Sequence, residues 1–406
     1  MFIREMSLAE FKEFANTHFI GNFHESINYA LIKAEEGFEY EFIAYGADDI
    51  VGAALILYKK IGSVYFGYSP RGFLIDYSND YLLEDFTNKI KEYYKNRNFA
   101  FIKINPEIAI AKLNKDTMNF EYNENYKIID MLTKNGYKKL KNNMNFEALL
   151  PRVNAIIKLD GYDYNNLSKN TRNKVKKGIR KGLILEKANI DKLNIFYKFI
   201  KNKINRDEYY YNDFYNVFSK TLDVDLMLVK VDYKAFLINA QEAYNEELRR
   251  NASFNNKLIT NNNANAINAK MNSDKALLSY KNDIAEASKN LNTGLETYVA
   301  GALVIKHQNR VIIQISGFNK AMSRFSPNYF LYYALIKYYQ QEYKYLDLNG
   351  ITADLSKENH YYGLNRFKMG FNPDVYEYIG EFDLVIDEKQ YEKLLKSGAL
   401  AKEFNK

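Results

Sequence analysis

The sequence predicts a mixed α/β (α+β) protein made of two tandem copies of one strand-rich unit, with a helical hairpin set into the second copy. Three observations predict it. The order strand, strand, strand, helix, strand runs through residues 40–104, and strand, helix and turn signals in the same order return over 297–350. GAALILYKKIGSVYFGYS (52–69) and GALVIKHQNRVIIQISGF (301–318) match in their apolar positions, and 53 residues separate Gly52 from Asn105 where 48 separate Gly301 from Asn349. Between the copies, residues 233–292 contain neither Pro nor Gly.

In chain order, Tyr40 to Tyr45, Val51 to Lys59 and Ser63 to Tyr68 read as strands joined by Gly- and Asp-containing turns. Residues 80–97 place Leu82, Leu83, Phe86, Ile90, Tyr93 and Tyr94 at helical spacing, and Phe99 to Ile104 is an apolar strand ended by Asn105-Pro106. In the second copy, strands are expected over Thr297 to His307 and Arg310 to Ser316, a helix over Asn328 to Gln341, and a strand over Tyr343 to Leu348. The intervening segment divides into two helical stretches, Ala235 to Leu258 and Ala266 to Leu291, around the Asn-rich break at 259–266. Its alanines permit close helix approach, so an antiparallel arm is expected. The resulting division is 1–152 for the first unit, 153–232 with 293–395 for the second, 233–292 for the arm and 396–406 for a tail. The length of 406 residues agrees, since about 150 residues per domain gives roughly 2.7.

Composition removes several function classes. Hydrophobic residues at 47% and charged residues at 26% are the balance of a folded chain. With no cysteine there is no disulfide, thiolate nucleophile or iron–sulfur cluster. His18, His24, His307 and His360 lie in separate segments without metal-ligand spacing, and each reads as structural or exposed. Neither a G-x-S-x-G elbow, a Walker A loop nor G-x-G-x-x-G occurs. No apolar run reaches 18 residues, so the chain is expected to be cytoplasmic and to span no membrane. The 36 Tyr and 27 Phe, alongside many Asn and Lys, read as core and surface filler from an AT-rich codon bias.

Charge placement says more than net charge. Between Lys169 and Lys187 stand eight Lys/Arg against the single Glu186, a local +7 equal to the excess of the whole chain. Such a strip attracts phosphates and suits a polyphosphate or RNA partner; a solvated lysine-rich helix face is the alternative. Residues 232–296 carry eight basic and eight acidic residues, so the arm is electrically balanced.

The strand–helix order resembles the N-acetyltransferase-like (GNAT, acyl-CoA N-acyltransferase-like) fold. The R/Q-x-x-G-x-G/A loop that acyl-CoA enzymes of that fold use is incomplete in both copies, which read Ser69-Pro70-Arg71-Gly72 and Gln314-Ile315-Ser316-Gly317-Phe318-Asn319. More specific is the ordered set YSPRGFLIDY (68–77), SKNTRNKVKKGIRKG (168–182), YLDLNGI (345–351) and GLNRFKMGFNPDVYEYIGEFDLVI (363–386). That set, with a helical arm inside it, resembles the FemA/FemB/FemX family of aminoacyl-tRNA-dependent transferases that build peptidoglycan cross-bridges. The resemblance covers nearly the whole chain. It implies two tandem GNAT-like domains with a coiled-coil arm inserted in the second, and an amino acid passed from aminoacyl-tRNA to the stem-peptide amine of a precursor. That precursor is UDP-MurNAc-pentapeptide or its lipid-linked form, the latter met at the inner membrane face. No cofactor is implied, aminoacyl-tRNA being a co-substrate. Acyl-CoA as donor, or a binding protein without chemistry, are the other readings.

Residue by residue, the resemblance places Lys33, in Glu25-Ser26…Tyr29…Lys33, where the family grips the precursor diphosphate. Gln and Trp of the family pattern are replaced here by Glu25 and Tyr29. Arg206 and Tyr210 take the matching phosphate and sugar positions, and a guanidinium fork suits two phosphate oxygens. Lys368 in FKMGF takes the position of a lysine near the acyl acceptor, where a cation can stabilise the charge of a tetrahedral intermediate. Asn105 stands where the family often has Asp, and an amide cannot accept a proton as a carboxylate does. Asp347, a substrate phosphate or the tRNA ribose hydroxyl are the candidates for proton acceptor.

Overall fold

A computed structural model describes residues 1–404 apart from 148, 204, 222, 261 and 262. It is a mixed α/β protein with two sheets. In spatial order, the first sheet runs Phe2–Glu5, Glu39–Gly46, Ile50–Ile61, Val64–Ser69, Phe99–Ile104, Phe382–Val385 and Tyr137–Lys139. The second runs Leu183–Ala188, Val224–Val231, Tyr298–His307, Arg310–Phe318, Tyr345–Ile351, Val153–Lys158, Asp374–Tyr378, Ala109–Leu113 and Phe120–Tyr122.

The duplicated order is present in both sheets. In each, three antiparallel strands are followed by a helix, Asp80–Lys95 or Pro327–Tyr339, and by a strand parallel to the third. Val224–Val231 is the first of the three in the second unit, buried along nearly its whole length with the apolar stretch 226–229 at its centre. The ungapped match of 52–69 with 301–318 is corrected by three residues. The two-residue hairpin turns fall at 62–63 and 308–309, because Ile50–Ile61 is a longer arm than Tyr298–His307. In both turns the first residue is left-handed, Gly62 at φ 62° and Gln308 at φ 51°.

The sheets exchange strands. Phe382–Val385 pairs antiparallel with Phe99–Ile104 in the first sheet, where Lys103 and Asp383 form a buried ion pair of 2.7 Å. Ala109–Leu113 pairs antiparallel with Asp374–Tyr378 in the second. Each sheet therefore takes in a strand whose predecessor in the chain belongs to the other.

Two long helices, Tyr233–Thr260 and Ala264–Thr293, leave the second sheet between adjacent strands and pack along one another. Their base is fixed to the basic helix Lys169–Arg180: buried Lys181 pairs with Asp283 while lying over Phe236 and Phe325, and Arg180 Nη1 donates to Tyr280 Oη at 3.2 Å. Among the described residues no helix is long and apolar enough to cross a membrane.

Candidate functional site

The second unit opens where the first stays closed. Its parallel strands pair only from Arg310↔Tyr345 to Ile312↔Asp347. Beyond that, Gln314 is bulged against Tyr298–His307, and Leu348 and Asn349 are bulged against Val153–Lys158, with Asn349 at φ 67°. A bulge adds a residue to one strand only and bends it, so two facing bulges part the pair. The fork is a cavity of about 440 Å³, walled by the strand residues 313–318 and 348–350 and by Phe367 and Lys368.

Lys368 reaches this cavity from the helix Tyr362–Met369, whose approach is locked by a small amide network. Asn365 Nδ2 donates to Thr352 Oγ1 at 2.6 Å, and Thr352 N–H donates to Asn365 Oδ1 at 3.2 Å. Phe367 packs edge-on against Tyr329 and Tyr332, and Phe371 packs against Tyr332. A Cβ at Gly370 would meet Thr171 Oγ1 at 2.2 Å, so this glycine lets the basic helix press against the Lys368 turn. The Lys368 side chain is buried, and its Nζ donates to Gly350 O at 2.6 Å. Burial pulls its pKa down to about 8 against the opposing pull of Asp347, so it remains mostly a cation at neutral pH.

A second cavity of about 220 Å³ lies between the units and shares Pro151, Gln314 and Asn349 with the first. Its polar lining includes Asn22, His24, Arg71, Glu107, Asn154 and Asp347. Asp347 accepts from Asn349 N–H at 2.7 Å and from Asn154 Nδ2 at 3.3 Å, and lies 3.7 Å from Arg310. Burial raises its pKa, and Arg310 offsets this only in part. Glu107 accepts from Arg310, from Asn22 Nδ2 and from Tyr378 Oη at 3.2 Å. Burial would raise the Glu107 pKa, but Arg310 and Arg71 together hold it below the ordinary carboxylate value. His24, stacked on Phe23 and hydrogen-bonded to Asn22 Oδ1 at 2.6 Å, is kept neutral by burial and by nearby Arg71.

Asn105 sits under this lining. Its Oδ1 accepts from Arg71 N–H at 2.8 Å and from Tyr68 Oη at 3.4 Å, so it holds backbone rather than opening to a cavity. Lys33, Arg206 and Tyr210 are brought together elsewhere, around Glu36. Lys33 Nζ is 3.1 Å and Arg206 Nη1 2.9 Å from the two Glu36 oxygens, and the Arg206 guanidinium lies 4.3 Å over the Tyr210 ring. Two cations share one carboxylate, leaving a half-buried surplus of positive charge. Glu25 and Ser26 are structural: Ser26 caps the helix Ile27–Glu35 by accepting from Tyr29 N–H, and Glu25 is buried.

The structure thus divides the sequence candidates among the Lys368 fork, the Asp347 cavity, the Glu36 cluster and the Asn105 turn. Sequence reasoning missed Arg71, Glu107 and Arg310. Arg71 stood inside the quoted YSPRGFLIDY and Glu107 directly after Asn105-Pro106, but only the fold pairs residues 71, 107 and 310. The basic strip is also weaker than its count, since Lys181 is buried against Asp283 and Lys187 lies 2.7 Å from Asp225. Lys169 and Lys176 are exposed, and Lys174, Lys177 and Arg180 are partly so.

With this geometry in place, comparisons with known proteins agree on one family. A family model described as "FemAB family" matches residues 6–396. The chain is 26% identical over 401 residues to Lipid II:glycine glycyltransferase of Staphylococcus aureus (strain USA300), covering 94% of this chain and 92% of the relative. To the enzyme of the same name from strain Mu50 / ATCC 700699 it is 25% identical with the same coverage. Among solved structures, the crystal structure of FemX matches with a TM-score of 0.76 at 23% identity, over 97% of this chain and 100% of that one, a likeness of fold.

Proposed function

Because the chain belongs to the FemAB family and is an aminoacyltransferase, we propose that it transfers an amino acid from aminoacyl-tRNA to the stem-peptide amine of a peptidoglycan precursor in cross-bridge synthesis. The names of the relatives favour lipid II as acceptor and glycine as the donated residue, with the protein working at the inner membrane face. The observation that carries the reading is the strand fork with a buried lysine in its wall, next to a polar cavity between the units.

In this reading the ester carbonyl of the donor lies in the fork. The neutral acceptor amine attacks the carbonyl carbon, the oxyanion forms against the Lys368 cation, and the C–O bond breaks to release the tRNA 3′-terminal ribose hydroxyl with a proton. Ester-to-amide exchange is downhill and needs no nucleotide hydrolysis at this step. An ordinary lysine amine, with a pKa near 10.4, must lose a proton first. Asp347, its pKa raised by burial, is a stronger base than an ordinary carboxylate and is the protein's candidate acceptor for that proton. The Lys33–Arg206–Tyr210 cluster binds the precursor diphosphate in exchange for Glu36.

The test is transfer of radiolabelled glycine from charged tRNA to lipid II and to the soluble nucleotide precursor. Label that appears in either acceptor and disappears with RNase supports the reading. Transfer that survives RNase and requires an acyl-CoA replaces it, and binding of both partners without transfer rejects it.

A further inference from the structure

The surroundings of Arg71 carry more than a place in the lining. Arg71 is buried at 4% exposure, and its one carboxylate neighbour among the described residues, Glu107, stands at ion-pair distance without a hydrogen bond to it. Its Nη1 donates to Pro151 O at 3.3 Å, while its Nε lies 3.7 Å from Glu107 Oε2 and has no hydrogen-bond partner among the described residues. Glu107 is already taken by Arg310, Tyr378 and Asn22. A guanidinium out of water with an unmet donor is costly unless something completes it.

The backbone is built to hold it there. Arg71 has φ 61°, a left-handed conformation that a residue with a Cβ adopts only under strain. Asn105 Oδ1 holds its N–H, Ser69 Oγ donates to Gly72 O at 2.8 Å, and a Cβ at Gly72 would meet Tyr77 Oη at 2.8 Å and Pro106 Cγ at 2.9 Å. The turn is over-determined, and the guanidinium is pre-organised against one wall of the cavity between the units. Pro151, to which it is bonded, also walls the Lys368 fork. On the opposite wall Asp347 already has Arg310 at 3.7 Å and Asn349 N–H at 2.7 Å, so it does not compete for the Arg71 guanidinium.

From this we infer that Arg71 forms a carboxylate subsite, receiving a carboxylate of the acceptor stem peptide while the amine to be acylated lies in the adjoining fork. The inference rests on the aminoacyl-transfer reading above. Two carboxylates of such a peptide have the right chemistry, its C-terminal group and any acidic group further in.

The experiment uses the full chain and three forms of the precursor: native, C-terminally amidated, and amidated at an internal stem carboxylate. Binding is measured by calorimetry without donor, and transfer with donor. For the wild type, one of the two amidations weakens binding roughly 10- to 100-fold, as expected for loss of a charge-assisted hydrogen bond, and identifies the source; kcat at saturating acceptor changes far less. In Arg71→Gln, native and amidated acceptors bind equally. If neither amidation alters wild-type affinity, or if Arg71→Gln keeps the wild-type preference, the subsite is wrong. The wild-type arm stands even if the variant fails to fold. Binding of none of the three forms overturns the precursor reading itself, and the subsite with it.

Discussion

The two copies of the unit differ most at the pair of parallel strands that each contains. In the first, pairing runs without a break from Phe66↔Phe101 to Ser69↔Ile104, its one irregularity lying earlier, between Tyr65 and Phe66. In the second it stops at Ile312↔Asp347, three residues past the hairpin turn, where the first copy continues to Ser69, six past its own. Where the second copy has a cavity, the first has the Ser69–Gly72 turn, which delivers Arg71 to the boundary between the units. Moving bulges by a few residues has therefore given one copy the space for chemistry and the other the task of lining it.

Several measurements would break or sharpen that contrast. The largest effect is expected in the open copy: Lys368→Met should lower single-turnover transfer by about 10²–10³-fold while leaving precursor affinity within a few-fold, in keeping with a lost electrostatic contact to the transition state. Equal activity in the variant would remove the fork as the reacting centre. Outside the fork, Arg206→Ala should do the reverse and raise the acceptor Kd roughly tenfold with little change in kcat at saturation, read by calorimetry and steady-state kinetics.

The same lysine gives a smaller, pH-dependent effect on stability. Its pKa falls from 10.5 unfolded to about 8 folded, so between these values the unfolded chain holds more protons and wild-type stability rises with pH. Lys368→Met should thus be more stable than wild type below pH 8, by on the order of 1–3 kcal/mol, with the gain shrinking towards pH 10.5. Denaturant titrations at pH 7 and 10 would test the sign. Gly350→Ala would place a Cβ 2.5 Å from Pro151 Cβ and should cost about 1–3 kcal/mol and disturb both cavities. Gly67→Ala, in the closed pair, meets only side chains, Ile102 at 3.0 Å and Ile56 at 3.4 Å, and should leave transfer intact. The smallest effect concerns salt: neutralising Lys174, Lys176 and Lys177 should flatten the slope of log Kd for tRNA against log salt by roughly 2. An unchanged slope would leave the strip as a solvated face.

Long-period signals were the legible ones. The arm was expected at Ala235 to Leu258 and Ala266 to Leu291 and is found at Tyr233–Thr260 and Ala264–Thr293, because thirty residues of helical spacing without Pro or Gly admit few other solutions. Phe99–Ile104 was expected with the same ends. The exchange of Phe382–Val385 into the first sheet was not legible, since four apolar residues say nothing about a partner some 280 positions away. Val224–Val231 carried a weak signal, the four apolar residues 226–229 between Asp225 and Lys230, that alternation-based reading passes over. Of the site, Lys368, Arg206 and Lys33 stood out through resemblance to a family, whereas Arg71, Glu107 and Arg310 were ordinary surface-type charges until the fold brought them together.

The strand exchange has a practical consequence for anyone wishing to take the enzyme apart. A fragment stopped before Phe382 would leave Phe99–Ile104 with a bare apolar edge, and one begun after Leu113 would strip Asp374–Tyr378 of a neighbour. Either half made alone should therefore self-associate through that raw edge, and activity should return only when the halves are co-expressed and knit during folding.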